Sequence, residues 1–202
     1  MCARGVCWGP LGNASTSPLG PHLVPDRTTL VFFCGKMAAG KSTLARRLAQ
    51  QRPSILLVQD VFSECLFPGD VKDIASYVLY ASRINSVVQP LVCDLLALGV
   101  RVVLDFPANT KKQRAWFREI LDTARVHHEL HFIDASDDLC KSQLRMRSKD
   151  LPAESPWTSE AAFDAITAYF EPPTEEARFN VILHKRIQQS LEETVVDTRS
   201  RR

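Results

Sequence analysis

Gly35-Lys36-Met37-Ala38-Ala39-Gly40-Lys41-Ser42 is the stretch of sequence that decides the fold. It matches the pattern Gly-x-x-x-x-Gly-Lys-Ser/Thr, in which the glycines let backbone N–H groups turn inward around a phosphate. The preceding residues 29–34 are apolar and rich in strand formers, and residues 43–50 carry apolar side chains at helical spacing. A strand, a glycine-rich loop and a helix that points its N-terminus at the loop form a phosphate-binding arrangement.

The side chains of this loop have separate expected roles. Lys41 would reach the β- and γ-phosphates of a nucleoside triphosphate, and the hydroxyl of Ser42 would ligate Mg²⁺. We expect Lys41 to face solvent when no ligand is bound. The predicted nucleotide-binding residues are Gly35, Lys36, Met37, Ala38, Ala39, Gly40, Lys41, Ser42 and Thr43, and the predicted cofactors are ATP and Mg²⁺.

Composition narrows the class of protein. The chain has 202 residues, 45% of them hydrophobic, and a net charge of +2. The length and the hydrophobic content fit one α/β domain. The small net charge does not indicate a surface that binds nucleic acid or a membrane. The six cysteines form no Cys-x-x-Cys pair, so we expect reduced, buried thiols and a cytoplasmic protein. Asp94 and Arg101 interrupt the longest apolar region, so we expect no transmembrane helix.

The two ends of the chain differ from its middle. Residues 1–27 hold Gly, Pro and Ser without periodicity, and we interpret them as a disordered tail outside the fold. The predicted domain spans residues 28–190, and residues 191–202 are interpreted as a solvated C-terminal tail.

Two aspartates follow apolar runs that read as strands. Residues 54–59 predict a second strand with Asp60 at its carboxyl end, where ligands bind in open parallel sheets. Asp60 could instead cap the helix predicted over residues 61–66. Residues 100–105 predict a third strand that ends in Asp105, the pattern of a carboxylate that helps to hold Mg²⁺. No Glu follows Asp105, which disfavours simple nucleotide hydrolysis.

A long helix is predicted over residues 71–98. Its expected apolar stripe consists of Ile74, Val78, Ala81, Ile84, Val88, Leu91, Leu95 and Leu98. Pro90 falls inside this stripe and predicts a kink or a junction between two helices. The polar side carries Tyr77 and Tyr80, which could line an acceptor pocket or simply face solvent.

Histidines and basic residues mark the second half of the chain. Residues 127–134 predict a fourth strand with His127 and His131 on one face and His128 on the other; a metal site is the alternative.

Ser136 is predicted to cap a basic helix that leads into a loop with Pro152 and Pro156. Such a helix is typical of a lid over a nucleotide, although charge runs often only face water. A further helix is predicted over 159–170, and a fifth strand over 179–183 before a C-terminal helix.

Taken together, residues 28–184 resemble a bacterial family of small P-loop ATP-binding proteins that are grouped by name with AAA-type ATPases. The resemblance rests on Gly35–Ser42, Asp60, residues 102–110, His128–His131 and residues 144–147. It extends to polynucleotide kinase-like, chloramphenicol phosphotransferase-like and zeta-toxin-like kinases. It implies a three-layer α/β P-loop NTPase fold, a five-stranded parallel sheet in the order 2-3-1-4-5 and a helical lid.

The resemblance also implies residue roles. Asp60 would be the base that accepts the proton of the acceptor hydroxyl, and Asp105 would help Ser42 to hold Mg²⁺. Arg145 and Arg147 would be the lid arginines that stabilise the transferring phosphoryl group. Arg114 would help to hold the acceptor.

The function expected from these residues is transfer of the γ-phosphoryl group of ATP to a hydroxyl of a small-molecule acceptor. The alternative is an ATP-binding regulator or ATPase that transfers nothing. A GTPase is disfavoured because the sequence holds no Asn-Lys-x-Asp motif. A polynucleotide kinase is disfavoured because no basic stripe with interleaved aromatic residues marks a strand channel.

Overall fold

The computed structural model describes residues 28–149, 157–174 and 178–186, and strands alternate with helices along these ranges. The strands are β1 (Thr29–Cys34), β2 (Ile55–Val58), β3 (Val102–Pro107), β4 (His127–Ala135) and β5 (Val181–Arg186). The helices are α1 (Lys41–Gln51), α2 (Gln59–Leu66), α3 (Ile74–Ala97), α4 (Lys111–Ala124), α5 (Asp137–Ser148) and α6 (Glu160–Thr167). Every strand predicted from the sequence is present, and β5 continues three residues past its predicted end.

The five strands form one parallel sheet in the order β2-β3-β1-β4-β5, which confirms the expected topology. β1 lies at the centre, where Leu30 pairs with Val102 of β3 and with His128 of β4. Its residues from Leu30 to Cys34 are fully buried, as expected of a parallel strand covered on both faces. Because all strands run the same way, their carboxyl ends share one edge of the sheet, and the P-loop leaves β1 at that edge.

Helices cover both faces of the sheet, so the predicted three-layer architecture is confirmed. On one face Phe32 stacks on Phe117 of α4, with ring centroids 4.2 Å apart, and α3 packs beside it. On the other face Phe33 packs in a cluster with Leu44 of α1 and Leu144 of α5. Alternate residues of β1 therefore belong to two separate apolar layers.

The long helix α3 corrects two expectations. It is a single helix that contains Pro90, so a junction of two helices is wrong. Its buried stripe is Ile84, Val88, Val92 and Leu96. Val78, Leu91 and Leu98, which were expected inside, are exposed. The reason is that apolar residues occupy two adjacent rows of this helix, and helical periodicity does not decide which row meets the sheet.

The helices α4, α5 and α6 each begin at a side-chain cap, and of these caps the one at Ser136 was predicted from the sequence. Thr110 caps α4 in a reciprocal capping box with Gln113. Ser136 caps α5, with Asp137 and Asp138 in its first turn, and Ser159 caps α6.

Several sequence expectations lie outside the described residues. They are the tail over 1–27, the loop with Pro152 and Pro156, the helix after β5 and the tail over 191–202. Within the described ranges, no helix combines the length and the apolar character needed to cross a bilayer.

Candidate active site

The P-loop joins β1 to α1 in a left-handed turn that leaves the helix N-terminus open. Ala38 and Gly40 have φ angles of 59° and 102°. Gly40 is the N-cap residue of α1, and no side chain caps this helix. The first N–H groups of α1 are therefore left for an anion, and the helix dipole favours one there. Thr43 is exposed in this first turn, while Met37 packs partly buried beside the loop.

Glycine is required at position 35, because the backbone of β4 passes close to the start of the loop. A Cβ on Gly35 would lie 2.9 Å from the carbonyl oxygen of Ile133 in β4, which is too close for any side chain. Its N–H donates to Oδ1 of Asn109 at 3.0 Å. Asn109, which follows the carboxyl end of β3, thus anchors the loop. Asn109 is not among the site residues predicted from the sequence, although its place after a strand end was a usable signal.

Lys41 folds back onto its own loop. Its Nζ donates to the carbonyl oxygens of Gly35 at 2.6 Å and of Lys36 at 2.8 Å. Burial lowers the pKa of Lys41, against the raising effect of neighbouring acidic groups that include Asp105 and Asp60. The expectation that Lys41 faces solvent is wrong, because the loop carbonyls give the ammonium group acceptors of its own.

Ser42 and Asp105 meet beside Lys41, as the sequence predicts for a magnesium site. The Ser42 hydroxyl hydrogen-bonds the Asp105 carboxylate. Burial raises the pKa of Asp105, and the negative charge of Asp60 raises it further. These oxygens fit Mg²⁺, which binds one or two protein oxygens together with substrate phosphates. A divalent cation would also offset the electrostatic cost of burying the Asp105 carboxylate. Within the described residues, no cluster of three or more His, Cys, Asp or Glu side chains could hold a metal by itself.

Asp60 lies in the first turn of α2 and is exposed. The N-cap residue of α2 is Val58, so the alternative role of Asp60 as a helix cap is wrong. The helix begins two residues earlier than the sequence indicated, because β2 passes directly into it. Burial and then the charge of Asp60 raise the pKa of the Tyr77 hydroxyl in α3. Asp60 is thus near enough to both Asp105 and Tyr77 for its charge to act on each.

The predicted lid arginines lie in the last turn of α5. Arg145 forms an ion pair with Glu160 of α6, and Arg147 is exposed. Lys141 of α5 bonds Asp164 of α6 at 2.7 Å, so α5 and α6 are joined through their charged side chains. The contact of Arg145 or Arg147 with a phosphoryl group stays a prediction.

Arg114 is a buried side chain, only 3% exposed, at the carboxyl edge of the sheet. Its Nη1 donates to the carbonyl oxygens of Ala108 at 2.9 Å and of Glu171 at 2.7 Å, and its Nη2 lies 3.4 Å from that of Pro172. These bonds fasten α4 to the segment that follows α6. They use the guanidinium for structure, and contact of Arg114 with an acceptor stays a prediction.

The histidines of β4 take the faces expected of a strand. His131 stacks near Phe33 and hydrogen-bonds His184 of β5, with Nδ1 and Nε2 2.8 Å apart. His128 lies on the opposite face near Phe32 and accepts from the N–H of Asn180 at 3.0 Å. His131 also pairs with the carboxylate of Glu129, with Nε2 and Oε2 3.3 Å apart.

Three further side chains that the sequence did not single out reach the P-loop, two from α5 and one from β5. Lys36 forms an ion pair with Asp137 of α5. Gln143 of α5 and Arg186 of β5 contact the apex of the loop. The only sequence signal for Arg186 is its place at a strand end, and that signal was lost when β5 was predicted to stop at residue 183.

A family model described as an AAA domain matches residues 30–173, well over half of the chain. The chain belongs to this AAA domain family. The matched range contains the P-loop, Asp60, Asp105 and all of α5, whereas β5 with Arg186 lies beyond it. No curated protein matches the sequence of this AAA domain.

Solved structures share its fold. The crystal structure of APE1195 is 21% identical with a TM-score of 0.57, and the match covers 78% of this chain and 85% of that one. The Mycobacterium tuberculosis APS kinase CysC, in complex with AMPPNP and APS, is 20% identical with a TM-score of 0.54 and covers 82% and 92%. Chaetomium thermophilum Kti12, in complex with ADP-AlF3, is 18% identical with a TM-score of 0.55 and covers 76% and 87%. At these identities the likeness shows a P-loop NTPase fold.

Proposed function

We propose that this AAA domain binds ATP with Mg²⁺ and transfers the γ-phosphoryl group to a hydroxyl of a small-molecule acceptor. The observation that carries the proposal is the Ser42–Asp105 hydrogen bond beside Lys41, with a second carboxylate, Asp60, close enough to raise the pKa of Asp105. The nucleotide complexes of the APS kinase and of Kti12 support binding of a nucleotide by such a fold.

The two carboxylates differ in environment, which supports separate roles. Asp105 is half-buried and bonded to Ser42, so it is suited to share a metal ion with the Ser42 hydroxyl. Asp60 is exposed in the first turn of α2, where an acceptor can approach it from solvent. A general base must come within hydrogen-bond reach of the proton that it removes, and only Asp60 of this pair is open to an acceptor hydroxyl.

The P-loop would bind and neutralise the phosphate chain. The uncapped N–H groups of α1 and the Lys41 ammonium would replace their present partners with phosphate oxygens. Bound Mg²⁺ would supply charge neutralisation on the phosphate oxygens. Asp60 would accept the hydroxyl proton as the acceptor oxygen bonds to the γ-phosphorus and ADP leaves. Catalysis would consist mainly of positioning and electrostatic stabilisation.

The lid helix α5 would supply the remaining positive charge. Arg145 would exchange its partner Glu160 for the transferring phosphoryl group, and Arg147 is the second candidate for this contact. An arginine that acts on developing charge lowers the barrier more than it strengthens ATP binding.

The test is release of ADP from ATP·Mg²⁺ by purified protein in the presence of a panel of hydroxyl-bearing metabolites and antibiotics. A transferase releases ADP only when one compound is present, and that compound gains one phosphate by mass. ATP binding without any compound-dependent ADP release would instead support a regulator that binds ATP. Equal ADP release with and without every compound would indicate an ATPase.

A further inference from the structure

The apex of the P-loop is hydrogen-bonded by Arg186, the residue at the end of β5. Arg186 ends β5, where it pairs with Ala135 of β4. Its Nη1 donates to the carbonyl oxygen of Ala39 at 2.9 Å, across a sequence separation of 147 residues. This bond joins the edge strand of the sheet to the tip of the phosphate loop.

Gln143 of α5 completes a second contact to the apex. Its side-chain amide satisfies both neighbours when the nitrogen donates to the carbonyl oxygen of Ala38 at 2.9 Å and the oxygen accepts from Nη2 of Arg186, also at 2.9 Å. Arg186 and Gln143 therefore bond each other and hold two successive loop carbonyls. We call this pair the apex clamp.

The apex clamp contacts a backbone segment whose conformation is intrinsically unfavourable. Ala38 is a non-glycine residue in the left-handed region, with φ at 59°, and such a residue persists only where its surroundings hold it. Arg186 also packs against Gly40, because a Cβ there would lie 2.7 Å from Nη1. The guanidinium thus lies against the loop at both Ala39 and Gly40.

The orientation of one peptide unit links the clamp to phosphate binding. In a trans peptide the C=O and the N–H point in opposite directions. Arg186 bonds the Ala39 carbonyl, so the N–H of Gly40 in the same peptide points away from Arg186. A P-loop binds phosphate through such backbone N–H groups.

We propose that Arg186 is a positioning residue for the phosphate chain, which it orients through the apex clamp without contacting the nucleoside. The proposal rests on the proposed nucleotide binding and adds a residue outside the P-loop motif to it. If it holds, loss of Arg186 weakens every ligand that carries the phosphate chain by the same factor, whether or not the ligand has a base and a sugar.

The experiment compares ATP·Mg²⁺ with inorganic tripolyphosphate·Mg²⁺ by calorimetry. The variants are Arg186→Ala, Arg186→Lys and the control Lys185→Ala, which removes an exposed positive charge from the neighbouring position of β5. We expect Arg186→Ala to weaken both ligands by a similar factor of about tenfold or more, the scale of a lost charged hydrogen bond. We expect Lys185→Ala to bind both as the wild type does.

Arg186→Lys separates geometry from charge. A lysine keeps the charge but lacks the planar fork that bonds Ala39 and Gln143 together, so its affinities should fall between those of the wild type and of Arg186→Ala. Wild-type affinity in Arg186→Lys would show that only the charge matters and would overturn the clamp. Because this variant changes the side chain least, it also serves if Arg186→Ala does not fold.

A double-mutant cycle with Gln143→Leu tests the clamp as a unit. Two residues of one hydrogen-bond network have non-additive effects, so Arg186→Ala/Gln143→Leu should bind tripolyphosphate more tightly than the two single losses combined would predict. Strict additivity would overturn the clamp.

The remaining outcomes are distinct. If Arg186→Ala lost ATP affinity and kept tripolyphosphate affinity, Arg186 would contact the nucleoside and the proposal would be wrong. If Arg186→Ala only lowered the melting temperature and left both affinities unchanged at temperatures where it is folded, Arg186 would be purely structural and the proposal would again be wrong. In both cases ATP binding by the wild type would leave the proposed function standing, whereas a wild type that bound neither ligand would overturn the proposed function as well.

Discussion

Replacing Arg114 by alanine separates a structural role from the acceptor contact expected from the sequence. The side chain is 3% exposed, and its two shorter hydrogen bonds, at 2.9 and 2.7 Å, end on the carbonyl oxygens of Ala108 and Glu171. A hydrogen bond that involves a charged group contributes about 1.5–3 kcal/mol. Two such bonds give roughly 3–6 kcal/mol, and the cost of burying the guanidinium reduces the net value.

The expected loss of stability for Arg114→Ala is therefore about 3–4 kcal/mol, since the buried carbonyl of Ala108 would also be left without its donor. For a domain of this size, that loss lowers the melting temperature by roughly 6–16 °C. The assay is denaturant unfolding of the ligand-free protein, with a thermal melt beside it. The matched control is Lys112→Ala, an exposed residue of the same helix, which should change stability by no more than about 0.5 kcal/mol.

A milder substitution keeps the test informative if the alanine variant does not fold. Arg114→Lys keeps the charge and loses the fork that bonds two carbonyls at once, so it should lose part of the same stability. The structural reasoning is refuted if Arg114→Ala unfolds within about 1 kcal/mol of the wild type, which is the scale of a single ordinary hydrogen bond. A stable Arg114→Ala protein with a raised KM for the acceptor would restore the role expected from the sequence.

Further predictions concern the site itself. Lys41→Ala should remain folded and lose most of its ATP affinity, and unchanged binding by calorimetry would overturn the P-loop assignment. Asp60→Asn should slow single-turnover transfer by about 10²–10⁴ with little change in ATP affinity, and normal transfer would remove Asp60 from the mechanism. Arg147→Ala, and Arg145→Ala to a smaller extent, should slow transfer more than they weaken ATP binding; full turnover in both would make them ordinary surface charges. The raised pKa of Asp105 means that the folded state favours its neutral form. The stability from that neutral form is present below the ordinary carboxyl pKa and is lost as pH rises through the raised value. Mg²⁺ needs the ionised form, so Mg²⁺ affinity should fall as pH drops through the same window, and titrations of wild type and Asp105→Asn should differ in this dependence.

Local features of this protein could be predicted from the sequence because they depend on neighbours a few residues apart. The turn of residues 35–42 needs its glycines, and Thr110, Ser136 and Ser159 each cap a helix through an N–H three residues ahead. The apolar run from Leu30 to Cys34 predicts a buried central strand by its composition alone. Ser42 and Asp105 were also paired in advance, because strand ends in a parallel sheet meet at one edge.

Only the tertiary structure decided which distant polar residues bond to the P-loop at that edge of the sheet. Asn109 bonds Gly35 across 74 residues, Asp137 pairs with Lys36 across 101 residues, and Arg186 bonds Ala39 across 147 residues. No local pattern encodes these contacts, because each depends on where the sheet places a distant strand end. The resemblance implied an acceptor contact for Arg114, which stays a prediction, and only the folded structure shows its bonds to carbonyl oxygens of the chain beyond α6. The sequence by itself determined the phosphate loop and the strands around it, whereas the supports of that loop were set by sheet order and packing.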